Sequence, residues 1–483
     1  MINRFTGFVH ACGARLSDGS GAPLLLRGVG LGNWLLPEGY MWRFGDEMSS
    51  PRQIERRVES LVGPERAAAF WAGFRGGFIT EDDVAAIARL GFDHVRLPLN
   101  ARGLVDEDGR FLDGFARVDD LLRWCGGHGL WVLLDLHGAP GGQTGTNIDD
   151  SPAGRPELFM DARNRWLTVH LWEEIARRYR DSTVVLGYDL LNEPLPNEWQ
   201  HVYPDELVAL YRDLTTAIRA IDQNHLIIYE GTHWATNWSI FTEVLDANSA
   251  LQFHRYWCPP DRSSIQQYLD VRDRLGLPIY MGEGGENTPD WIYTAHRLYE
   301  QHDIGWNLWP WKKLDTLTSP VSATPPDGWE LIADPDAAVD PGRAWEILQD
   351  MLARVELGAC QERPEIVNAA FGRAPLRIPG WGFVDDSPTY RDRFAGRRDC
   401  DGWHHAAGPP YADTDTDTNA ATELPVTVQA GQELHFPLES RPAGWRADAD
   451  EPEAFDITWR RDRLVARATR TAHLRALILT AAH

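Results

Sequence analysis

The chain has 483 residues, with 71 acidic side chains against 47 basic ones and a formal net charge of −24. Hydrophobic residues at 43% and charged residues at 24% exclude wholesale disorder, and the length suits one large domain with an appendage. So negative a charge excludes nucleic acid as the main partner, because phosphate binding draws on surplus Lys and Arg.

From the N-terminus, Met1 to Arg15 has no basic start followed by an apolar run. No secretory leader is read there, and a cytoplasmic location is expected. Leu24 to Gly28 reads as a first strand. Thr80 caps a helix running to Leu90, and His94 to Leu97 is a second strand. Helix Phe115 to Gly127 leads to a buried third strand, Leu130 to Asp135. Helix Arg163 to Arg180 precedes a fourth strand, Val184 to Leu191, and helix Asp205 to Ile221 precedes a fifth, Leu226 to Tyr229. Leu251 to His254, Ile279 to Gly282 and Gly305 to Leu308 complete eight strands, with helices at 264–275, 291–302 and 344–353. Eight strands separated by helices predict an α/β fold with the parallel sheet closed into a (β/α)8 TIM barrel over residues 1–370. The runner-up is an open doubly wound sheet, but no Gly-rich phosphate loop follows the first strand.

Residues 371–483 differ in texture. Pro, Gly, Asp and Thr dominate from Arg373 to Glu423, including an Asp-Thr repeat at 413–418. β-like runs then follow at 425–429, 433–438, 454–459, 464–469 and 473–479, predicting a small antiparallel, sandwich-like domain. Packing against the barrel is the default role for it.

No stretch approaches the length of a membrane span. Five cysteines without C-x-x-C spacing read as free or buried thiols. No metal set is apparent, since His404-His405 has no acidic or cysteine partners at ligand spacing. No cofactor and no obligate protein partner are implied. The 21 tryptophans suggest a stacking surface, although a large core uses Trp too.

In a TIM barrel, chemistry sits at the C-terminal ends of the strands. Those ends read Arg96, then Asp135-Leu136-His137, Asn192-Glu193-Pro194, His254-Arg255-Tyr256-Trp257, Gly282-Glu283-Gly284 and Trp309-Pro310-Trp311-Lys312. Glu193 and Glu283 therefore face each other across one mouth, as cleavage of a glycosidic bond requires. Alone, His137 reads first as a satisfied core histidine, and Arg96 has a structural ion pair beneath the sheet as its plain reading. Within the constellation the functional reading is preferred. Glu286 is an alternative nucleophile past the expected strand end, and Glu230 is either a third cleft carboxylate or a loop acid. Trp257, Trp306 and Trp311 are either core or subsite walls, Trp34 and Gln143 are subsite candidates, and Asp135 is read as a supporting residue.

Asn192-Glu193-Pro194 and Met281-Gly282-Glu283-Gly284 resemble the two catalytic segments of glycoside hydrolase family 5. Arg27 to Leu35, His94 to Pro98, Asp135 to Gln143, Gly305 to Trp309 and Trp311-Lys312 resemble its exo-β-1,3-glucanase branch. The resemblance implies a cofactor-independent retaining β-glycosidase that acts from the non-reducing end on β-glucosides or short oligosaccharides. It implies Glu193 as general acid/base with a raised pKa, and Glu283 as a nucleophile kept ionised by Arg96 and Tyr256. Asn192 would donate to the sugar 2-OH, and His137 and His254 would bind hydroxyls or orient the carboxylates. Trp309 would form the floor beneath the terminal sugar, and Glu38 would hold that sugar. The sequence departs from the branch at Gly284-Gly285, where an aromatic is usual, at Pro37 to Tyr40, and from Gln143 to Ser151. An enzyme for glycolipid or other glycoconjugate aglycones is therefore a rival, and a carbohydrate-binding protein without catalysis is another.

Overall fold

The structure, a computed structural model, describes residues 5–384, 425–439 and 444–481. The Asp-Thr repeat, His404-His405 and Cys400 lie outside these. Eight parallel strands close a barrel: β1 (Arg27–Gly30), β2 (His94–Asn100), β3 (Trp131–Gly138), β4 (Val185–Asp189), β5 (Leu226–Glu230), β6 (Ser249–Arg255), β7 (Ile279–Gly285) and β8 (Gly305–Trp309). Each pairs with the next, and β8 pairs with β1 through Trp306↔Arg27 and Leu308↔Val29. Every residue of β2 and β3 is buried, as expected of strands covered on both faces.

Two helices that the apolar pattern did not single out, α1 (Pro51–Val62) and α2 (Pro64–Gly77), stand between β1 and β2. Helix α3 (Glu81–Leu90) then starts on a capping box, with Thr80 and Asp83 satisfying each other's backbone groups, and stops at Gly91 in the left-handed region. Helices α4 (Phe115–His128), α5 (Ala162–Tyr179), α6 (Pro204–Arg219), α7 (Arg262–Leu275), α8 (Pro289–Gln301), α9 (Pro341–Arg354) and α10 (Pro364–Phe371) follow.

Most tryptophans are structural. Trp42 and Trp71 pack with Phe70, Phe74 and Trp329 where α1 and α2 meet the barrel, with Trp42 and Phe74 centroids 4.8 Å apart. Each such buried ring stabilises the fold by about 1.5–3 kcal/mol through area alone. At the other end of the barrel Val9, Leu16 and Leu26 pack with Trp131, Leu133, Leu226 and Ile228. The N-terminal strands His10–Cys12, Arg15–Ser17 and Pro23–Leu24 form a separate small sheet. Leu24 thus belongs to that sheet, and the first barrel strand begins only at Arg27.

The C-terminal part is antiparallel. β9 (Leu376–Pro379) pairs with the last strand, Ala476–Ala481, which also pairs with Trp445–Ala449. Glu433–Pro437, Arg463–Ala468 and Phe455–Arg460 form a second sheet, and Val426–Val428 pairs with Ala472–Leu474. The unit docks on α8, where the Tyr293 hydroxyl donates to the Pro437 carbonyl at 2.8 Å and Arg377 pairs with Asp290. Glu439 is held by Arg373 and Arg27. Among the described residues, no helix is long and apolar enough to cross a membrane.

Candidate active site

Arg96, fully buried on β2, organises the mouth of the barrel. Its Nε donates to Asp189 at 2.8 Å, its Nη2 to Asn192 Oδ1 at 2.9 Å and Glu230 at 3.1 Å, and its Nη1 to Glu283. Asp135 stands 3.1 Å from the same guanidinium. Arginine suits this place because its planar fork serves several acceptors and stays charged when buried. Four carboxylates around one cation cannot all ionise at ease. Burial pushes Asp135 up to about 8, with Arg96 pulling in the opposite direction.

Glu283 emerges at a bulge. β7 pairs Met281 with Phe253 but Glu283 with His254, leaving Gly282 as the extra residue. A side chain at Gly282 would collide with Gln252. The Glu283 carboxylate accepts from Tyr256 Oη at 2.8 Å as well as from Arg96. Burial raises its pKa, and the His254 and Arg96 charges oppose that rise.

Glu193 follows β4 with φ +46°, a left-handed conformation that non-glycine residues hold only where neighbours fix it. Its N–H donates to Glu230 Oε2 at 2.7 Å, and its carboxylate accepts from His254 Nδ1 at 2.7 Å. His254 Nε2 lies 3.3 Å from Glu230. Burial disfavours a charged His254, but Glu230 and Glu283 outweigh it and raise its pKa well above the usual histidine range. Imidazolium then donates to a carboxylate on each side. His137 is the opposite case, since burial lowers its pKa to about 4. Neutral His137 donates from Nδ1 to Asp135 at 2.7 Å and accepts at Nε2 from Asn192 Nδ2 at 3.2 Å, which fixes the Asn192 amide.

Trp309 closes the floor, stacked on His137 at 5.5 Å with 6° between the planes. Its indole N–H donates to Tyr40 Oη at 3.0 Å. Gly30 and Gly32 make room for it, since a Cβ at either would strike the indole. Glu38 and Tyr40, on the loop after β1, line the cleft of about 730 Å3 together with Glu193, Glu283, His254 and Trp309. Burial, and then the Glu283, Glu286 and Glu193 charges, raise Glu38 well above the carboxylate range.

The structure thus gathers Glu38, Arg96, His137, Asn192, Glu193, His254, Tyr256, Glu283 and Trp309 at one mouth. It moves others away. Trp34 is buried in the core with its indole N–H on the Arg75 carbonyl at 2.9 Å, so it is no subsite residue. Trp311 is likewise buried and donates to Asp83 at 2.9 Å, beside Lys312, which pairs with Asp83 at 2.8 Å. Trp306 stacks on His296 in the core, whereas Trp257 stands 49% exposed on the cleft wall. Gln143 is buried and clips the loops together, donating to the His137 and Asn192 carbonyls at 2.7 and 2.9 Å. Glu230 lies beneath the cleft instead of in it.

Asp189, Gln252, Tyr40, Trp234 and Lys313 were missed by the sequence reading. Asp189 and Gln252 sit on the sequence's own barrel strands, and a polar residue in an otherwise apolar strand was the signal available. Trp234 and Tyr40 lie on loops, where no periodicity applies. One ligand-type atom from each of Glu193, His254 and Glu283 lies within 4.8 Å of the others, a spacing that a metal could also use. His254 hydrogen-bonds Glu193 and lies 3.6 Å from Glu283, which Tyr256 and Arg96 hold, so these contacts already bring the three side chains together.

Residues 59–315 match the family described as cellulase (glycosyl hydrolase family 5). A beta-xylosidase of Phanerodontia chrysosporium is 32% identical over 347 residues, covering 64% of this chain and 71% of its own. A probable glucan 1,3-beta-glucosidase A of Emericella nidulans is 29% identical, covering 53% of this chain and 66% of its own. A glucan 1,3-beta-glucosidase of Candida oleophila is 31% identical over 48% of this chain and 58% of its own. In the last two, the matched part falls short of two thirds of the relative's length. Among solved structures, an endogalactoceramidase shares the fold at a TM-score of 0.53 and 18% identity, over 98% of this chain and 100% of that one. With more than half of its residues inside the family match and these glycosidases as relatives, the chain belongs to glycosyl hydrolase family 5 and is a glycosidase.

Proposed function

We propose that this glycosidase is a retaining β-glycosidase that removes terminal glucosyl units from the non-reducing end of β-glucosides, short β-1,3-linked oligosaccharides above all. The observation that carries the proposal is the separation of the two carboxylates. A Glu193 oxygen and a Glu283 oxygen lie within 4.8 Å of each other. Retaining enzymes hold their carboxyl groups about 5–5.5 Å apart, whereas inverting ones leave about 6.5–9.5 Å for a water. Glu283, aligned by Tyr256 and Arg96, attacks C1 as Glu193 protonates the departing oxygen. Water then attacks the glycosyl-enzyme, and Glu193 takes its proton. Asn192, fixed by Arg96 and His137, faces the 2-OH. Trp309 as floor and Glu38 as a buried acceptor support a terminal glucose, and the names of the glucan 1,3-beta-glucosidase relatives support the linkage.

The test is turnover of an aryl β-glucoside by Glu283→Gln and Glu193→Gln, with the first product followed by NMR. Loss of about 10²–10⁴-fold is expected for Glu193→Gln, a larger loss for Glu283→Gln, and β-glucose as first product. Near wild-type turnover by Glu283→Gln, or α-glucose as first product, would refute the mechanism.

A second reading, cleavage of glycosides with an apolar aglycone such as a glycolipid, is favoured by the wall formed by Trp257, Trp234 and Ile148. Trp234 stands on the loop that clamps the Glu193 segment, with His233 N–H on the Leu195 carbonyl at 3.0 Å and Asn197 N–H on His233 Nδ1 at 3.0 Å. A leaving group must lie beside the acid that protonates it, so this wall borders the aglycone.

A further inference from the structure

β7 ends in Gly284 and Gly285, and neither has room for a side chain. A Cβ on Gly284 would stand 2.7 Å from the Arg255 carbonyl oxygen, and one on Gly285 would stand 2.7 Å from Leu308 Cδ1. The next side chain past Glu283 to line the cleft is therefore Glu286. Its backbone is left-handed at φ +45°, a strain that persists only where the surroundings fix it. Its carboxylate pairs with Lys313, and the Lys313 ammonium lies 5.1 Å from the centroid of the Tyr40 ring. Tyr40 in turn accepts the Trp309 indole N–H. The two side chains are only 14% and 8% exposed, so the pair gives up much of its hydration to stand at the cleft. The chain has two lysines, of which Lys312 is bound to Asp83 and Lys313 to this carboxylate.

The placement indicates what the pair faces. In barrel order β7, β8 and β1 are adjacent, and they lie across the mouth from β4, which precedes Glu193. The leaving group occupies the Glu193 side, so the part of the terminal sugar remote from C1 turns toward Glu38, Tyr40 and Glu286. We propose that Glu286, oriented by Lys313, is a specificity-determining residue that accepts hydrogen bonds from the sugar hydroxyls at the end of the ring away from C1. A carboxylate acceptor held in place rejects a sugar that lacks the matching hydroxyl, because its desolvation then goes uncompensated. This rests on the glucosidase reading above.

The experiment compares wild type, Glu286→Gln, Glu286→Ala and Lys313→Met on four substrates: an aryl β-glucoside, its 4-deoxy and 6-deoxy analogues, and the aryl β-xyloside, which lacks C6. Trapping by a 2-deoxy-2-fluoro-β-glucosyl fluoride counts the competent sites in each preparation. Wild type should favour the glucoside. Glu286→Ala should lose about 10- to 100-fold in kcat/KM on it, chiefly through KM, and far less on the analogue without the hydroxyl that Glu286 reads. Glu286→Gln and Lys313→Met should shift the same ratio in the same sense by a smaller factor. Equal loss on all four substrates, or no loss on any, overturns the proposal while leaving the glucosidase reading intact. A wild type inactive on all four overturns both.

Discussion

The backbone N–H of Glu193 donates to Glu230 Oε2 at 2.7 Å, so one buried carboxylate holds the main chain of the residue proposed to protonate the leaving group. Glu230 also lies 3.3 Å from His254 Nε2, and His254 Nδ1 reaches the Glu193 carboxylate at 2.7 Å. Backbone and side chain of Glu193 are therefore tied to one support. Because the Glu193 φ is +46°, relaxation is the expected response when that support is weakened.

Glu230→Gln should accordingly act on turnover more than on binding. The amide keeps the shape but removes the charge that sustains the His254 imidazolium and balances Arg96. A misplacement of the acid by about 1 Å corresponds to a loss of about 10²-fold in kcat. KM for an aryl β-glucoside should change little, and the alkaline limb of the kcat profile should move as His254 gives up its proton more easily. Unchanged kcat with an unchanged pH profile would show that Glu230 only fills space.

Trp309 and Trp311 are two residues apart and should answer differently. Trp309 lines the cleft, whereas Trp311 and Lys312 share Asp83, which is fully buried and also caps α3. Asp83→Ala leaves a buried ammonium without its counter-charge, with only the Val355 carbonyl to accept from it, a loss of about 3–5 kcal/mol in stability. Below the melting transition, kcat/KM per folded molecule should stay within about twofold of wild type, because Asp83 does not line the cleft. Trp309→Ala should lose about 10²-fold in kcat/KM by removing the floor that positions the sugar. Denaturant melts beside steady-state kinetics separate the two cases.

The contrast marks what was legible in the sequence. Strand ends were, because a parallel strand buried on both faces is largely apolar and its chemistry gathers where the apolar run stops. His137, Asn192, Glu193, His254, Tyr256, Glu283 and Trp309 all stand at or near such ends, whereas Arg96 stands inside β2, which runs on to Asn100. Trp34 and Trp311 were misread because a tryptophan near a strand end turns to either face, and only the partner of its indole N–H decides. The C-terminal run at 473–479 splits at Arg475, with Ala472–Leu474 and Ala476–Ala481 in different sheets. Trp445–Ala449 alternates, but two of its three apolar positions are Ala, which has little strand preference, and it is ordered by pairing with Ala476–Ala481.

Asp135 makes the core of the site pH-dependent. Burial lifts its pKa from an ordinary 3.8 to about 8, against the pull of Arg96. A carboxyl whose folded pKa is raised contributes stability below its unfolded pKa and loses it as pH rises through the folded value. Asp135→Asn keeps the shape and removes this titration. The difference in Tm between Asp135→Asn and wild type should therefore shift in favour of the variant from pH 4 to about pH 8, and level off above. A difference independent of pH over that window would mean that Asp135 is ionised throughout and that Arg96 outweighs burial.

Trp257 is the residue on which the two proposed aglycone classes can be told apart. It is 49% exposed on the cleft wall, directly after Tyr256, whose hydroxyl is on Glu283. An exposed indole beside the leaving group gains contact only when that group presents an apolar face. A ring contact of about 0.5–1.5 kcal/mol corresponds to roughly 2- to 12-fold in kcat/KM. Trp257→Ala should lose that factor on phenyl and octyl β-glucosides, and less on β-glucosyl fluoride, whose leaving group is a single atom. If laminaribiose loses as much as the octyl glucoside, Trp257 is a platform for a second sugar and the oligosaccharide reading gains. If the octyl glucoside alone suffers, the apolar aglycone is the one the wall was shaped for.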